Sequence, residues 1–254
     1  MPLAGKRLST SIDWHLNDMA DHANRGSQMV ARVAGLMYLF GIAAFMGGNA
    51  LLGRVFIPGS FVSEAGMVAS AHEGIRAAFI LMLATSWSNV VLIGALYMLL
   101  RPFGQSLALL ATLWRMTEVG LGSISCVFRF VGLQVYASPT ASPCCFQQQL
   151  LLTLTNNATE VALDAADLFF AAGSCVFFAL FYRSKLIPKW LSVLGLVASG
   201  AVFPLGIAEL LEGALPSQLD LTWLPIIVAE LATGLWLLFG SGLQPRLETA
   251  SPGR

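Results

Sequence analysis

Six times along this chain an apolar run reaches the roughly 20 residues that an α-helix needs to cross a ~30 Å hydrocarbon layer. The runs are Met29–Leu52, Ala77–Leu100, Ser106–Tyr136, Val161–Tyr182, Pro188–Leu211 and Thr222–Ser241. A water-soluble fold has no use for six such runs, because too little polar surface is left to face solvent. Composition agrees: 56% of the 254 residues are hydrophobic and 11% are charged, where soluble domains carry about 25% charged residues. The sequence therefore predicts an all-α fold, a polytopic transmembrane helix bundle with six spans. It divides the chain into a polar segment at 1–28, a membrane domain at 29–241 and a tail at 242–254.

The polar segment carries Lys6, Arg7, Asp13, Asp18, Asp21 and Arg25. The apolar run after it starts too late for a signal peptide and is as long as a span, so it reads as an uncleaved first helix. The third run is too long for one straight crossing; it must tilt, or its ends must leave the membrane. Pro188 falls in the first turn of the fifth run, where a missing N–H costs little. Pro204, inside that run, is expected to kink it.

Most connections are short, but residues 53–76 and 137–160 are not. Phe61–Ala71 in the first reads as a short interfacial helix. The second, rich in Ser, Pro, Thr, Gln and Asn, reads as an exposed, uncharged loop. Asn157-Ala158-Thr159 there matches a glycosylation sequon, a motif too short to decide anything alone. Cys144 and Cys145 are adjacent in this loop and read as an unpaired couple, with an intermolecular disulfide as the alternative. Cys126 and Cys175 fall within spans, as small apolar residues.

Orientation follows from loop arginines and lysines. One side carries Lys6, Arg7, Arg25, Arg101, Arg183, Lys185, Lys189, Arg246 and Arg254; the other carries Arg54 and Arg76. That asymmetry puts both termini in the cytoplasm of a cell membrane. Tyr136, Tyr182, Trp190 and Trp223 lie near span ends, where an aromatic belt belongs.

Several function classes drop out. The net charge is zero, so no basic field argues for nucleic acid. His15, His22 and His72 lie outside the spans, which removes the usual haem ligand and the base of an intramembrane serine protease. No HExxH, GxGxxG or P-loop pattern occurs. The reading assigns no cofactor, no metal and no catalytic residue. Its implied partner is the lipid bilayer, and a partner subunit or a second copy is left open.

What remains is charge inside the membrane, which is costly and needs a partner or a cavity. In the third span, Arg115, Glu118, Gly122, Ser125 and Arg129 fall within about 80° of arc. Gly122 would let another backbone approach. In the fourth span, Asn157, Glu160, Asp164, Asp167, Ala171 and Ser174 fall within about 100°. Arg129 with Asp164 and Asp167 is the expected structural ion pair. Arg115, Glu118 and Glu230 of the sixth span lie at one depth, roughly 14, 18 and 16 Å from the cytoplasmic ends of their spans. They are expected to meet, with the third and sixth spans packed together. One arginine cannot balance two carboxylates, so a second cation or a bound proton is implied. Glu209 lies nearer the outer face.

Four stretches carry a family likeness. They are Ala31–Tyr38; Arg115 with Glu118; Tyr182–Pro188 running on to Gly195; and Ala229-Glu230-Leu231 followed by Leu235–Leu238. In their order and spacing the sequence resembles a bacterial membrane family catalogued as domain of unknown function 4386. The resemblance implies a multi-spanning inner-membrane protein and no activity. The long Ser/Pro/Cys loop, Asp164 and Asp167 lie outside it. Function is expected to be non-catalytic: a lipid-, ligand- or partner-binding bundle held by ion pairs. The alternative is a proton-coupled transporter or permease using Glu118 or Glu230 with Arg115; an intramembrane enzyme comes third.

Overall fold

A computed structural model of the chain describes residues 4–53, 72–136, 146–212 and 221–240. Six helices account for nearly all of them: α1 (Ala4–Gly53), α2 (His72–Leu100), α3 (Gln105–Tyr136), α4 (Phe146–Ser184), α5 (Lys189–Glu212) and α6 (Trp223–Phe239). Five are long and apolar enough to cross a membrane. The sixth has 17 residues, the short end of the spanning range. The chain is thus an all-α bundle of the membrane-spanning kind. Phe61–Ala71, Cys144 and Cys145 lie outside the described residues.

α1 runs as one helix of 50 residues through the polar segment and the first span. One boundary differs from expectation. α4 begins at Phe146, well before Val161, so much of the expected loop is helix. The reason lies in its threonines: Thr155 donates to the carbonyl of Leu151 at 3.0 Å and Thr159 to that of Thr155 at 2.8 Å. These bonds absorb polar groups that looked like loop chemistry, while Leu150, Leu151, Leu152 and Leu154 supply apolar surface. The sequon is therefore helical, and its Thr159 is buried.

Each helix packs along its neighbours in the chain, and α1 closes against α6, so the six form a ring. The seam between α1 and α6 is narrow. A Cβ on Gly35 would stand 2.5 Å from the Gly234 carbonyl oxygen, and one on Gly234 would stand 2.8 Å from Cβ of Tyr38. Only glycine permits that approach.

The densest core gathers where the connections are tightest. Leu96, Leu100, Phe178, Phe181, Ile187 and Leu191 are fully buried together. A three-residue 3₁₀ turn, Arg101–Phe103, joins α2 to α3. Between α4 and α5, Lys185 takes the left-handed conformation, φ 57°, and its N–H donates to the Phe181 carbonyl at 3.0 Å. Trp236 of α6 locks this turn by donating its indole N–H to the Leu186 carbonyl at 3.2 Å. α5 runs unbroken through Pro204.

The outside is apolar. Phe40, Trp87, Leu113, Val161, Val197 and Leu231, one on each helix, are all exposed. In water such a surface would aggregate; in a bilayer it is the lipid contact. Tyr182 and Trp190 are exposed near adjoining helix ends, and the Lys189 ammonium lies 6.0 Å from the Tyr182 ring centroid. Trp223 turns inward instead, 5.8 Å from Phe170.

Candidate functional site

The site is built on α3 and α4. An unpaired guanidinium inside a bundle would be prohibitive, and Arg115 is 4% exposed, so its surroundings must be specific. Its guanidinium carbon lies 4.4 Å from the Phe170 ring centroid, a cation–π contact. Nη1 donates to Ser174 Oγ at 3.4 Å and lies 3.1 Å from Glu118 Oε2. Room for the aliphatic stem comes from Gly173: a Cβ there would meet Arg115 Cγ at 2.6 Å. Ring, glycine and hydroxyl sit at 170, 173 and 174, the i, i+3, i+4 spacing that puts them on one helix face.

The ion pair with Glu118 is close but not aligned as a hydrogen bond, and Glu118 Oε2 has no hydrogen-bond partner. Two further buried atoms share that condition, Glu230 Oε1 and Thr233 Oγ1, one helical turn apart on α6. Thr233 is unusual in this. Thr85, Thr112, Thr117 and Thr159 each donate to the carbonyl four residues back, the ordinary refuge of a helical threonine.

Glu118, Glu230 and the Tyr38 hydroxyl all act electrostatically on Arg115. Tyr38, buried on α1, interacts electrostatically with Glu230, Arg115 and Glu118. The interior thus gathers one arginine, two glutamates, a tyrosine and a threonine from α1, α3 and α6. Among the described residues, Glu230 makes no direct ion pair with Arg115. Nor do α3 and α6 pack along a shared seam, since α6 lies against α1 and α5.

Arg129 stands elsewhere. It lines a small cavity with Leu52, Ile75, Phe79 and Met82, turned toward α1 and α2, next to Cys126. The structure does not bring it to Asp164 or Asp167. α3 packs on two neighbours at once. Ser123 bonds Ser86 and Phe130 stacks on Phe79 on the α2 side, while Gly132 meets Thr155 of α4. At residue 129 the polar stripe has drifted between the two seams, and the side chain falls to the α2 side. Asp167 instead shares its surroundings with Glu118, Glu209 and Asp164, acids from three helices. Gly122 has nothing within reach of a Cβ; around the charges, close approach is made at Gly35, Gly173 and Gly234 instead.

Sequence reasoning missed Tyr38, Phe170, Gly173 and Thr233 as members of the site. Two signals were present: Thr233 follows Glu230 by three residues, and Gly173 adjoins Ser174, the last member of the fourth span's polar stripe. Among the described residues, no group of three or more His, Cys, Asp or Glu is placed to hold a metal. Comparison with curated proteins and with solved structures gave no match. A family model, described as a domain of unknown function, matches residues 33–240. That match takes in Arg115, Glu118, Glu230 and nearly all of the ring, and by it the chain belongs to the DUF4386 family.

Proposed function

We propose that this is a non-catalytic integral membrane protein, with both termini cytoplasmic, that holds a small cationic ligand between Arg115, Glu118 and Glu230. The observation behind the reading is the trio of buried atoms without partners, Glu118 Oε2, Glu230 Oε1 and Thr233 Oγ1. Two are carboxylate oxygens, which only accept. Leaving such groups buried and unpaired is costly, so a purely architectural cluster is a poor account of them. One guanidinium against two carboxylates leaves an excess of negative charge. A ligand carrying positive charge and hydrogen-bond donors answers both deficits. An enzyme reading lacks a nucleophile with an adjacent base.

The test is a thermal-shift panel of small ammonium compounds and alkali cations on the purified protein. A bound cation at a hundred times its dissociation constant should stabilise the fold by about 2.7 kcal/mol. Glu230→Gln should fold normally and lose that response. A variant that responds as the wild type does, or a wild type blind to the whole panel, would end the proposal.

The acids favour a second reading, a proton-coupled transporter. Asp167 of α4 interacts with Glu118 of α3, Glu209 of α5 and Asp164, and a series of intramembrane acids is what a proton relay requires. In proteoliposomes, Asp167→Asn should then slow proton-driven uptake while leaving cation binding at Glu230 intact. Unchanged uptake would dismiss this reading.

A further inference from the structure

Arg32 has no explanation in the bundle. It lies within the first span yet is exposed on the outer wall, and among the described residues it has no ion-pair partner. Arginine at such a depth needs an anion. Arg25, also exposed and also without an ion-pair partner, precedes it by seven residues. The two therefore share a stripe to within about 20°, roughly 10 Å apart along the axis. A long side chain at this depth reaches toward the membrane rim.

Beside that stripe is an apolar crevice of about 200 Å³ between α1 and α2. It is lined by Gly26, Met29, Val30 and Val33 on one helix and by Val91, Ala95 and Met98 on the other. Met29 lies about 60° around α1 from Arg32. The helices are antiparallel, so Arg101, exposed just past Met98, stands at the same rim. Apolar walls inside the membrane, with guanidinium groups at and below the rim, match one chemistry: a phosphate bonded to hydrocarbon chains.

We propose that this crevice seats an acyl chain of an anionic phospholipid whose headgroup phosphate is held by Arg25 and Arg32, with Arg101 closing the rim. The site is distinct from the interior cluster, and neither depends on the other. Guanidinium suits phosphate because its donors form a planar fork. A neutral, zwitterionic headgroup gains less from the same arginines.

Native mass spectrometry of the full chain, purified in detergent, tests this with phosphatidylglycerol and phosphatidylcholine of identical acyl chains. The wild type should retain the anionic lipid preferentially, by about fivefold for each of the two arginines that hold the phosphate, Arg25 and Arg32. Arg25→Gln with Arg32→Gln should reduce retention to the phosphatidylcholine level. Both positions are exposed, and helicity with monodisperse elution should be unchanged. Gly26→Phe, where a Cβ meets nothing within 4 Å, should fill the crevice and lower retention of both lipids. Glycerol phosphate, which has no chains, should displace neither. Equal retention of the two lipids by the wild type, or a preference that survives the double substitution, would overturn the phosphate assignment. Undiminished binding in Gly26→Phe would overturn the seat.

Discussion

At Arg115 a whole bundle is arranged around one side chain, and the arrangement depends most on a residue with no side chain. Gly173 gives the arginine stem its space. Gly173→Val should force Arg115 out of line with Phe170 and Ser174, costing about 1–3 kcal/mol as overpacking alone, and more if Glu118 is left without its cation. Gly122→Ala is the control. Its Cβ meets nothing, and alanine favours helix by about 1 kcal/mol over glycine. Thermal unfolding monitored by size-exclusion should separate the two variants in opposite directions. The sequence could not rank these glycines: Gly122 lies in the polar stripe of its helix, while Gly173 lies off the stripe of its own. Which one faces a neighbour depends on how α3 and α4 cross.

Among the elements, α6 is the shortest and the most dependent on others. Its 17 residues are held by the Gly35–Gly234 approach and by the bond from Trp236 to the Leu186 carbonyl. Trp236→Phe keeps the ring and removes the donor, leaving a buried carbonyl unpaired; a loss of about 1–3 kcal/mol is expected. Gly35→Leu should do worse, because it wedges the α1–α6 seam. Helix existence, type and order were legible in hydropathy, and α3 starts within one residue of expectation. The start of α4 was not legible, because a threonine that bonds its own helix backbone looks in sequence like a threonine in a loop. Arg129 was misplaced for a related reason: periodicity gives an angle on one helix but not the neighbour that occupies it. Depth counted from the span ends sets Arg115, Glu118 and Glu230 at one level but does not say which helices adjoin: among the described residues Glu230 makes no direct ion pair with Arg115, and α6 lies against α1 and α5.

For the whole molecule the outstanding quantity is orientation. The excess of arginine and lysine on one set of loops leads to the expectation that reporter fusions after Arg101 and after Thr140 give opposite-side signals. Same-side signals would refute both the topology and the cytoplasmic termini. The largely apolar exterior makes a companion expectation: the protein should leave membranes with detergent and not with high salt or alkaline carbonate.

The ring also has a direction in time. Its closing seam joins α1 to α6, so the wall facing Tyr38 and Arg115 is missing until residues 223–239 have been synthesised. Until then the buried charges border on whatever fills that gap, lipid or insertion machinery. A nascent chain halted before α6 should therefore be degraded or held by chaperones, whereas supplying α6 as a separate segment should rescue it. Assembly of this protein is a matter of shutting a door with its sixth helix.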